Sequence, residues 1–596
     1  MTEPQDSSSI TNLVKPMGWP LALFIGAAVA AAIGAAIGGL NTKALAVSGE
    51  APKPIATTAP SPPQPKSAGL AAAFLAGRHA EVNAEPDTAV DFYNRVTELD
   101  PQNLALLQNT YFLAAQSGDF AIAVPAARKA FETTPRRGMA AVIIAMDHIK
   151  KGEYAKAMPY LEKPQGQTMN SFALPVMRAW AVAATQPVEA ALEELTPLKN
   201  FQDTAVLWDV MSGMINEFYG RKDQALSHYD ALAMRIEIER FSTLRQVAEG
   251  FHRLGQDEKL KGLFASFMKS HAPSPTLDAY MAAVPSMPKP KVTVVFGMAE
   301  ATFGAAELLL MNDPNELRAQ VATAYAQTAL FLNPDMDITR RFIGSTLAAR
   351  GRYAESNDVL TKLKKTTPGY LDVQMQLADN YVRMHREKDA LAILQDLIKE
   401  KPQWKDAHVA VGDILRTEKK YGEAVAAYDN ALKFSGDDKA ENWAILYSRG
   451  IALERDKKWD AAEKDFRKAL ELRPDDPNVL NYLGYSYLDR GVKLPEARKL
   501  IEGAYKQRPN DGYIIDSFGW ALFMNGEYDL AVQNLEKAVE STPSDGTINE
   551  HLGDAYWKVG RRNEARFQWQ RALSFEMEEP QRASIRTKLE RGLASK

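Results

Sequence analysis

A pattern of small, bulky and proline residues recurs along this chain about every 34 residues. One copy of the pattern consists of Gly519, Ala531, Leu535, Ala538 and Pro543. Another copy consists of Gly450, Ala462, Phe466, Ala469 and Pro474. A period of this length with these residue types is typical of a repeated helix–turn–helix unit. The period therefore predicts an all-α chain built from stacked helix pairs.

Each position of the pattern has a physical reason in a helix pair. The first Gly and the first Ala are predicted where the two helices cross closely, which leaves no room for a large side chain. The bulky residue and the second Ala are predicted to fill the seam to the next repeat, and the Pro ends the second helix because its ring blocks helix continuation. A further Gly is predicted in the turn, where it adopts a positive φ without a Cβ penalty. These turn residues are Gly118, Gly152, Gly220, Gly255, Gly351, Gly491, Gly526 and Gly560.

These residues together resemble the tetratricopeptide repeat (TPR) family, most closely in the C-terminal third of the chain. The units that begin at Gly412, Gly450, Gly484, Gly519 and Gly553 follow one another there. The resemblance implies a right-handed superhelical solenoid in which each repeat contacts its neighbours. It also implies that the first helix of each pair lines a concave groove.

The sequence divides into six predicted segments, which differ in composition and in how regular the repeat is. They are a leader with a transmembrane anchor or signal segment (residues 1–46), a Pro-rich linker (47–68), a partly degenerate N-terminal TPR array (69–285), an irregular helical connector (286–333), a regular C-terminal TPR array (334–579) and a capping helix (580–596). A terminal cap is expected because the last repeat of a solenoid has no neighbour to cover its apolar face.

The N-terminal segment contains an uncharged apolar stretch at residues 20–40, PLALFIGAAVAAAIGAAIGGL. About twenty apolar residues can span a bilayer as a helix, whereas the apolar core of a signal peptide is usually shorter and follows a basic leader. The leader here has Lys15 as its only basic side chain. We therefore expect an inner-membrane anchor with the repeat domain in the periplasm. The alternative is cleavage near Ala46 and release into the periplasm.

Motifs of the common enzyme classes are missing from the sequence. It has no phosphate loop of the G-x-x-x-x-G-K-[ST] type, no G-x-S-x-G elbow and no H-E-x-x-H zinc helix. It also has no cysteine, which excludes disulfides, thiolate nucleophiles and a lipobox anchor. A net charge of −4, from 71 basic and 75 acidic residues, gives no basic footprint for nucleic acid. We expect a protein that is not an enzyme and has no cofactor. An enzyme subunit with a site in the irregular segments 165–205 and 274–333 is the weaker alternative.

Aromatic residues are predicted on the groove side of the last repeats. On each first helix, the face opposite the packing Gly carries them together with amides and a carboxylate. Exposed aromatic side chains are frequent anchors of protein interfaces. The predicted partner-binding residues are Asn478, Asn481, Tyr485, Tyr513, Asp516, Trp520, Phe523 and Trp557. The alternative is that Trp520 and Trp557 only pack against the neighbouring repeat.

Three runs near the C-terminus resemble a bacterial envelope subgroup of these repeat proteins. They are NYLGYSYLDRG (481–491), PNDGYIIDSFGWALF (509–523) and INEHLGDAYWKVGRRNEARFQWQRAL (548–573). The subgroup includes outer-membrane lipoprotein adaptors that recruit a carboxyl-terminal processing protease and its cell-wall hydrolase substrates. The resemblance implies an envelope adaptor that binds a protein partner, such as a protease or a peptidoglycan-processing enzyme. This chain lacks the adaptors' lipobox cysteine. A cytoplasm-facing membrane scaffold is the alternative.

Overall fold

The computed structural model describes residues 69–593, apart from residue 84 and the segments 135–137, 163–172, 200–201, 236–240, 271–274, 312–314 and 437–439. Regular structure in this part of the chain is entirely helical and contains no strand, which confirms the predicted all-α class. The apolar stretch 20–40 and the linker 47–68 lie outside the described residues. The helices group into two compact units, one up to Arg386 and one from Glu387. The predicted segment boundaries at 285 and 333 stay predictions.

The first unit consists of helix pairs in the order that the repeat pattern predicts, followed by a longer apolar hairpin. Its helices are α1 Leu70–Val82, α2 Pro86–Leu99, α3 Leu104–Ser117, α4 Phe120–Thr133, α5 Met139–Lys150, α6 Tyr154–Ala157, α7 Ala173–Ala183, α8 Val188–Glu194, α9 Thr196–Lys199, α10 Gln202–Phe218, α11 Lys222–Ala233, α12 Phe241–Arg253, α13 Asp257–Ser270, α14 Pro275–Ala283, α15 Val294–Met311, α16 Glu316–Leu332, α17 Asp337–Ala349, α18 Tyr353–Leu360 and α19 Tyr370–Arg383. Two 3₁₀ turns cover Met158–Leu161 and Val284–Ser286.

The second unit begins with helix α20, continues as five helix pairs and ends with one additional helix. Its helices are α20 Glu387–Glu400, α21 Lys405–Thr417, α22 Tyr421–Ser435, α23 Trp443–Arg455, α24 Trp459–Leu472, α25 Pro477–Asp489, α26 Leu494–Gln507, α27 Gly512–Met524, α28 Tyr528–Ser541, α29 Gly546–Lys558, α30 Arg562–Ala572 and α31 Glu579–Arg591. A 3₁₀ turn covers Ala440–Asn442. The last helix buries Ile585 against the preceding pair, with Leu589 and Leu593 packed beside it.

The Gly of each repeat lies where the two helices of its pair cross, as the pattern predicts. A Cβ added to Gly519 would lie 2.7 Å from Cγ of Leu535, and one added to Gly553 would lie 2.5 Å from the Trp569 ring. The bulky residue of the pattern therefore packs on the Gly of its own repeat. This differs from the prediction that it fills only the seam to the next repeat, because a side chain at the crossing reaches the neighbouring helix of its own pair first.

Turn residues between the helices adopt the left-handed conformation that the sequence predicts for Gly. Gly526 has φ +82° and Gly560 has φ +83°. One repeat has an additional residue, since Gly484 and Ala497 are 13 residues apart instead of 12. Its turn contains two left-handed residues, Gly491 at φ +65° and Lys493 at φ +49°. The insertion is thus absorbed in the turn, and helices α25 and α26 keep their pairing.

Helices α15 and α16 form an antiparallel hairpin that packs onto the first helices of several earlier pairs. Helix α15 contacts α7 and α10, and helix α16 contacts α3 and α5. At the α7 contact, a Cβ added to Gly297 would lie 2.1 Å from the Trp180 ring. At the α3 end, Phe331 stacks on Phe120 with ring centroids 4.3 Å apart. The face that the sequence assigns to the N-terminal groove is therefore covered by the chain's own hairpin.

A buried ion pair joins this hairpin to helix α12. Arg245 donates from Nη2 to Oε2 of Glu300 at 2.6 Å, and Gln246 donates to the same oxygen at 2.9 Å. Glu300 is 2% exposed and Arg245 is 8% exposed. Burial raises the pKa of Glu300, but the Arg245 charge outweighs it and the pKa lies below its usual value. The buried carboxylate of Glu300 is tolerated because it has both the Arg245 charge and the Gln246 hydrogen bond as partners.

Helix α15 is also the one helix among the described residues that is long and apolar enough to cross a membrane. In the structure, 72% of it is buried within the fold. A buried core helix meets the same criteria of length and composition as a membrane span. In α15, apolar residues contact helices α7 and α10.

Candidate protein-binding face of the C-terminal unit

Helices α25, α27 and α29 are the first helices of three successive pairs and carry the predicted partner-binding residues. Each of them begins with an Asp at the N-cap, and its carboxylate accepts two backbone N–H groups of the first turn. These caps are Asp476, Asp511 and Asp545. An N-cap acceptor satisfies backbone donors that have no partner within the helix. The caps therefore fix where each helix starts and which of its side chains share a face.

Three aromatic side chains on this face remain accessible to different degrees. The ring of Tyr513 is well exposed, since this residue keeps 60% of its surface accessible. Tyr485 and Trp520 are half-buried. No ring contact or ion pair engages the Tyr513 side chain within the described residues. These three rings therefore keep accessible surface on the first helices, and their role in partner binding stays a prediction.

Trp520 lies in a stack of three rings on this face. It stacks on Phe523 with centroids 4.7 Å apart and on His551 with centroids 4.0 Å apart. The His551 ring is held in turn by Asp516, whose two carboxylate oxygens lie 3.0 and 3.1 Å from Nδ1. The orientation of Trp520 therefore depends on a buried histidine and a buried carboxylate from two neighbouring helices.

The electrostatic surroundings of His551 favour its charged form. Burial lowers the pKa of His551, but the carboxylates of Asp516, Glu550 and Asp554 outweigh this effect and the pKa lies above its usual value. A protonated imidazole donates to Asp516 and also presents a cation to the face of Trp520. The stack is thus held by charge as well as by contact area.

A second polar cluster ties the terminal helix α31 to helix α29. Lys588 donates from Nζ to Glu550 at 2.7 Å and to Asp554 at 2.6 Å. Asp554 also accepts from Nε1 of Trp569 at 2.8 Å. Burial lowers the pKa of Lys588, but the two carboxylates outweigh it and the pKa is raised. These bonds offset only part of the desolvation of Asp554, because burial still raises the pKa of its carboxyl above the usual value.

Some of the predicted partner-binding residues lie inside the fold. Asp516 is 5% exposed and is engaged by His551, and Phe523 is 9% exposed and belongs to the apolar core of the last repeats. Trp557 packs on Trp569, with centroids 5.4 Å apart, and against the backbone at Gly592. Trp557 thus packs within its own helix pair and beside the last helix, whereas Trp520 packs on His551 of the next pair, as the packing alternative describes. The Phe523 ring, which the sequence placed towards solvent, contacts Trp520 of its own helix and Tyr528 of the second helix of its pair.

The remaining predicted residues stay on the accessible part of the face. Asn478 accepts a hydrogen bond from Arg508 at 3.1 Å. Asn481, Tyr485, Tyr513 and Trp520 line the surface between helices α25 and α27. We call these four residues the aromatic–amide face.

Two residues of this region, His551 and Lys588, are missing from the sequence-based assignment. None of the eight histidines of the chain pairs with another at a three- or four-residue metal-binding spacing, so residue type alone gives no signal at His551. The useful signal is the repeat period itself. Asp516 and His551 are 35 residues apart, and Lys588 and Asp554 are 34 apart. Oppositely charged residues one period apart lie on adjacent first helices and can pair.

Comparison with known proteins supports the repeat assignment. Family models described as tetratricopeptide repeat match residues 347–412, 443–476 and 517–575. The chain contains tetratricopeptide repeats. Proteins with these repeats typically mediate protein–protein interactions through their extended concave surfaces.

Two curated relatives and one solved structure illustrate how far the similarity extends. A TPR repeat-containing protein of Pseudomonas aeruginosa is 29% identical over 211 residues, which are 34% of this chain and 35% of that protein. The aspartyl/asparaginyl beta-hydroxylase of Mus musculus is 24% identical over 232 residues, 35% of this chain and 29% of that protein. The chain thus spans about a third of the length of these relatives. The APC/C hetero-tetramer Cut9–Hcn1 is 15% identical, with a TM-score of 0.36 over 88% of this chain and 97% of that chain.

Proposed function

We propose that this protein is a non-enzymatic scaffold whose C-terminal unit binds a protein partner on the aromatic–amide face. The observation that carries the proposal is the arrangement of Tyr485, Tyr513 and Trp520 on two adjacent first helices, with Tyr513 60% exposed. Aromatic side chains of this kind bring a large rigid contact area and a polar group to an interface. Their position on first helices agrees with the concave surface that tetratricopeptide repeats use for partners.

Among their described residues, the first helices α3, α5, α7 and α10 of the N-terminal unit carry no exposed aromatic side chain. Hairpin α15–α16 covers helices α3, α5, α7 and α10, so the apolar area of these helices is already buried. A partner would have to displace the hairpin and break the Arg245–Glu300 pair to reach it. This difference between the two units supports the C-terminal unit as the binding site.

We also propose that the protein functions at the bacterial cell envelope. The support is the apolar stretch 20–40 and the resemblance of the C-terminal runs to envelope adaptors. The proposed arrangement is an inner-membrane anchor with a periplasmic repeat domain, or a periplasmic protein after cleavage near Ala46. The proposed partner is an envelope protease or a peptidoglycan-processing enzyme. A reporter active only outside the cytoplasm, fused after Lys596, tests the location, and N-terminal sequencing of the mature chain tests the cleavage.

The binding face is tested by changing Tyr513 to alanine. Proteins captured with tagged full-length chain would be quantified for Tyr513→Ala and for a matched control, Phe567→Ala. Phe567 is 61% exposed and lies on the second helix of a pair, away from the first-helix face. We expect a defined partner to be lost with Tyr513→Ala and retained with Phe567→Ala, at equal melting temperatures. Equal capture by both variants would contradict the proposed binding face.

A further inference from the structure

The end of the C-terminal unit carries an excess of positive charge, although the chain as a whole is negative. Residues 556–593 contain nine Lys and Arg side chains and five Glu side chains, whereas the net charge of the chain is −4. Three of these arginines, Arg562, Arg566 and Arg591, are exposed. Within the described part of the chain, their side chains have no hydrogen bond and no ion pair. The fold therefore leaves these three charges unpaired.

The three arginines lie on two helices that meet at the Trp557 side chain. The Cζ atom of Arg562 lies 5.2 Å from the centroid of the Trp557 ring, and Arg566 follows one turn later on helix α30. Helix α31 ends at the same ring, because a Cβ added to Gly592 would lie 2.1 Å from Cζ2 of Trp557. Arg591 directly precedes Gly592. We call Arg562, Arg566 and Arg591 the basic edge.

The carboxylates beside the basic edge compensate its charge only in part. Arg561 already forms ion pairs with Glu536 at 3.0 Å and with Glu564 at 3.1 Å. Glu590 is exposed and has no ion pair with another described residue. One free carboxylate thus accompanies three free guanidinium groups, and the basic edge keeps a net positive charge.

The position of Arg562 is unfavourable for the fold alone. This residue is the first of helix α30, where the positive end of the helix dipole repels a cation. The second helices α24, α26 and α28 begin instead with Trp459, Leu494 and Tyr528. Three free cations at one edge also repel one another. A ligand that brings negative charge would offset both unfavourable effects.

A short acidic segment fits the basic edge better than an extended anionic surface. Glu576 and Glu578 are exposed just before helix α31, and Arg591 is the last residue of that helix. A helix rises about 1.5 Å per residue, so the acidic and the basic end are roughly 20 Å apart. An anionic membrane surface lying along this helix would meet repulsion at the acidic end. A segment of a few acidic residues can contact the basic edge alone, and a guanidinium binds a carboxylate through two parallel hydrogen bonds.

We propose that the basic edge is a second binding surface of the C-terminal unit and takes an acidic segment of a protein. The inference goes beyond the proposed function, because none of the three arginines belongs to the aromatic–amide face. The two surfaces then differ in chemistry. One presents aromatic rings on first helices, and the other presents free guanidinium groups at the end of the unit.

The inference is tested by binding of a defined probe to the purified full-length protein. The probe is a fluorescent twelve-residue peptide of alternating alanine and glutamate, and in its control glutamine replaces glutamate. We expect the glutamate peptide to bind, and Arg562→Gln combined with Arg566→Gln to weaken its binding by about fivefold or more. The matched control, Lys464→Gln with Lys499→Gln, removes two exposed charges that have no ion pair among the described residues. It should change the affinity by less than about twofold. Equal binding of the glutamine peptide, or an equal loss in both double variants, would overturn the inference.

The melting temperature separates binding from a role in the fold. The double variant Arg562→Gln with Arg566→Gln should melt at the same temperature as the natural protein or higher, because mutual repulsion of the cations is removed. A lower melting temperature with a proportional loss of peptide binding would show that the arginines support the fold, and this result would also overturn the inference.

Two further measurements identify the ligand and its position. Vesicles with about one third phosphatidylglycerol are the alternative probe, and we expect the arginine double variant to bind them as the natural protein does. Vesicle binding that falls in this variant, without binding of the glutamate peptide, would assign the basic edge to lipid instead. Tyr513→Ala should leave the affinity for the glutamate peptide unchanged. A loss with Tyr513→Ala would place the peptide on the aromatic–amide face and overturn the second surface, whereas the proposed function would stay in place.

Discussion

Single glycines decide how closely the helices of a pair approach. Leu535 packs onto Gly519 so tightly that an added Cβ would lie 2.7 Å from its Cγ and 2.9 Å from its Cδ2. At Gly503, by contrast, the nearest atom to an added Cβ is 3.5 Å away, which is an ordinary contact. The two positions differ in the room available for an added Cβ atom. They do not differ in backbone conformation, since both residues lie in helices.

We expect Gly519→Val to destabilise the C-terminal unit by about 1–3 kcal/mol, because overpacking forces the helices apart. Gly503→Ala should instead be neutral or stabilising by up to about 1 kcal/mol, because alanine is the better helix former. Hydrogen exchange followed by mass spectrometry would localise the effect. Faster exchange should concentrate at residues 477–579, since repeats couple mainly to their neighbours. A uniform increase along the chain would contradict this coupling.

The charge state of His551 links stability to pH. Its pKa is raised in the folded state by Asp516, so the protonated form stabilises the fold. This contribution is fully present below the unfolded-state value of 6.5 and is lost as the pH rises through the folded-state pKa. We therefore expect the melting temperature to fall from about pH 6 to about pH 9 more steeply than in His551→Gln. Identical pH profiles of the two proteins would show that Asp516 does not hold a proton on this ring.

The residues at the helix crossings could be predicted from sequence, and the polar cluster could not. Gly519 and Leu535 follow from the repeat because any helix pair of this geometry requires a small residue opposite a bulky one. The partners of His551 and Lys588 depend on side chains of adjacent repeats, which the period places nearby without saying which atoms meet. The burial of Phe523 was not evident either, because its ring contacts Trp520 and Tyr528 of its own pair, and helical spacing does not show which side chains meet.

At the scale of helices, the α15–α16 hairpin has the largest effect on the fold. The sequence placed an irregular connector at residues 286–333 and expected a helix pair there. It could not show that this pair packs on helices much earlier in the chain, because the repeat pattern describes only contacts between neighbouring repeats. The apolar composition of α15 indicates that this helix is buried, but it does not indicate which helices bury it.

We expect Glu300→Gln to destabilise the N-terminal unit by about 1–3 kcal/mol, because Arg245 loses its buried carboxylate and keeps the less buried Glu249 as its ion-pair partner. Replacing both residues with apolar ones of similar size, Arg245→Met with Glu300→Leu, should recover most of the loss. Denaturant unfolding of the single and double variants gives the coupling energy. If the loss of unfolding free energy in the double variant equalled the sum of the losses in the two single variants, the pair would not act as a unit.

At the scale of the whole chain, the two units differ in how far along the sequence their contacts reach. Gln327 donates to the backbone carbonyl of Gln116, which is 211 residues away. In the described part of the C-terminal unit, the longest side-chain hydrogen bond spans 38 residues, from Lys588 to Glu550. The first unit is therefore closed by a long-range contact, and the second is a linear stack.

This difference predicts two kinds of unfolding. The C-terminal unit should open locally, repeat by repeat, as expected for a one-dimensional stack. The N-terminal unit should open in one cooperative step, because loss of the hairpin exposes several helix pairs together. Native-state hydrogen exchange in increasing denaturant would show a single opening energy across helices α3 to α16 and a range of energies across α20 to α31. The same graded pattern in both units would contradict a closing role for the hairpin.

The distance in sequence between the hairpin and its binding helices also matters during synthesis of the chain. Helices α3 to α7 are synthesised long before α16. About 150–200 further residues must be added before the hairpin can cover their first-helix face. At about 5–20 residues per second this delay is roughly 10–40 s. During that time the apolar first-helix face is exposed in the nascent protein, until α15 has been made and covers it. Synthesis order thus leaves the first-helix face of the N-terminal unit uncovered until the hairpin has been made.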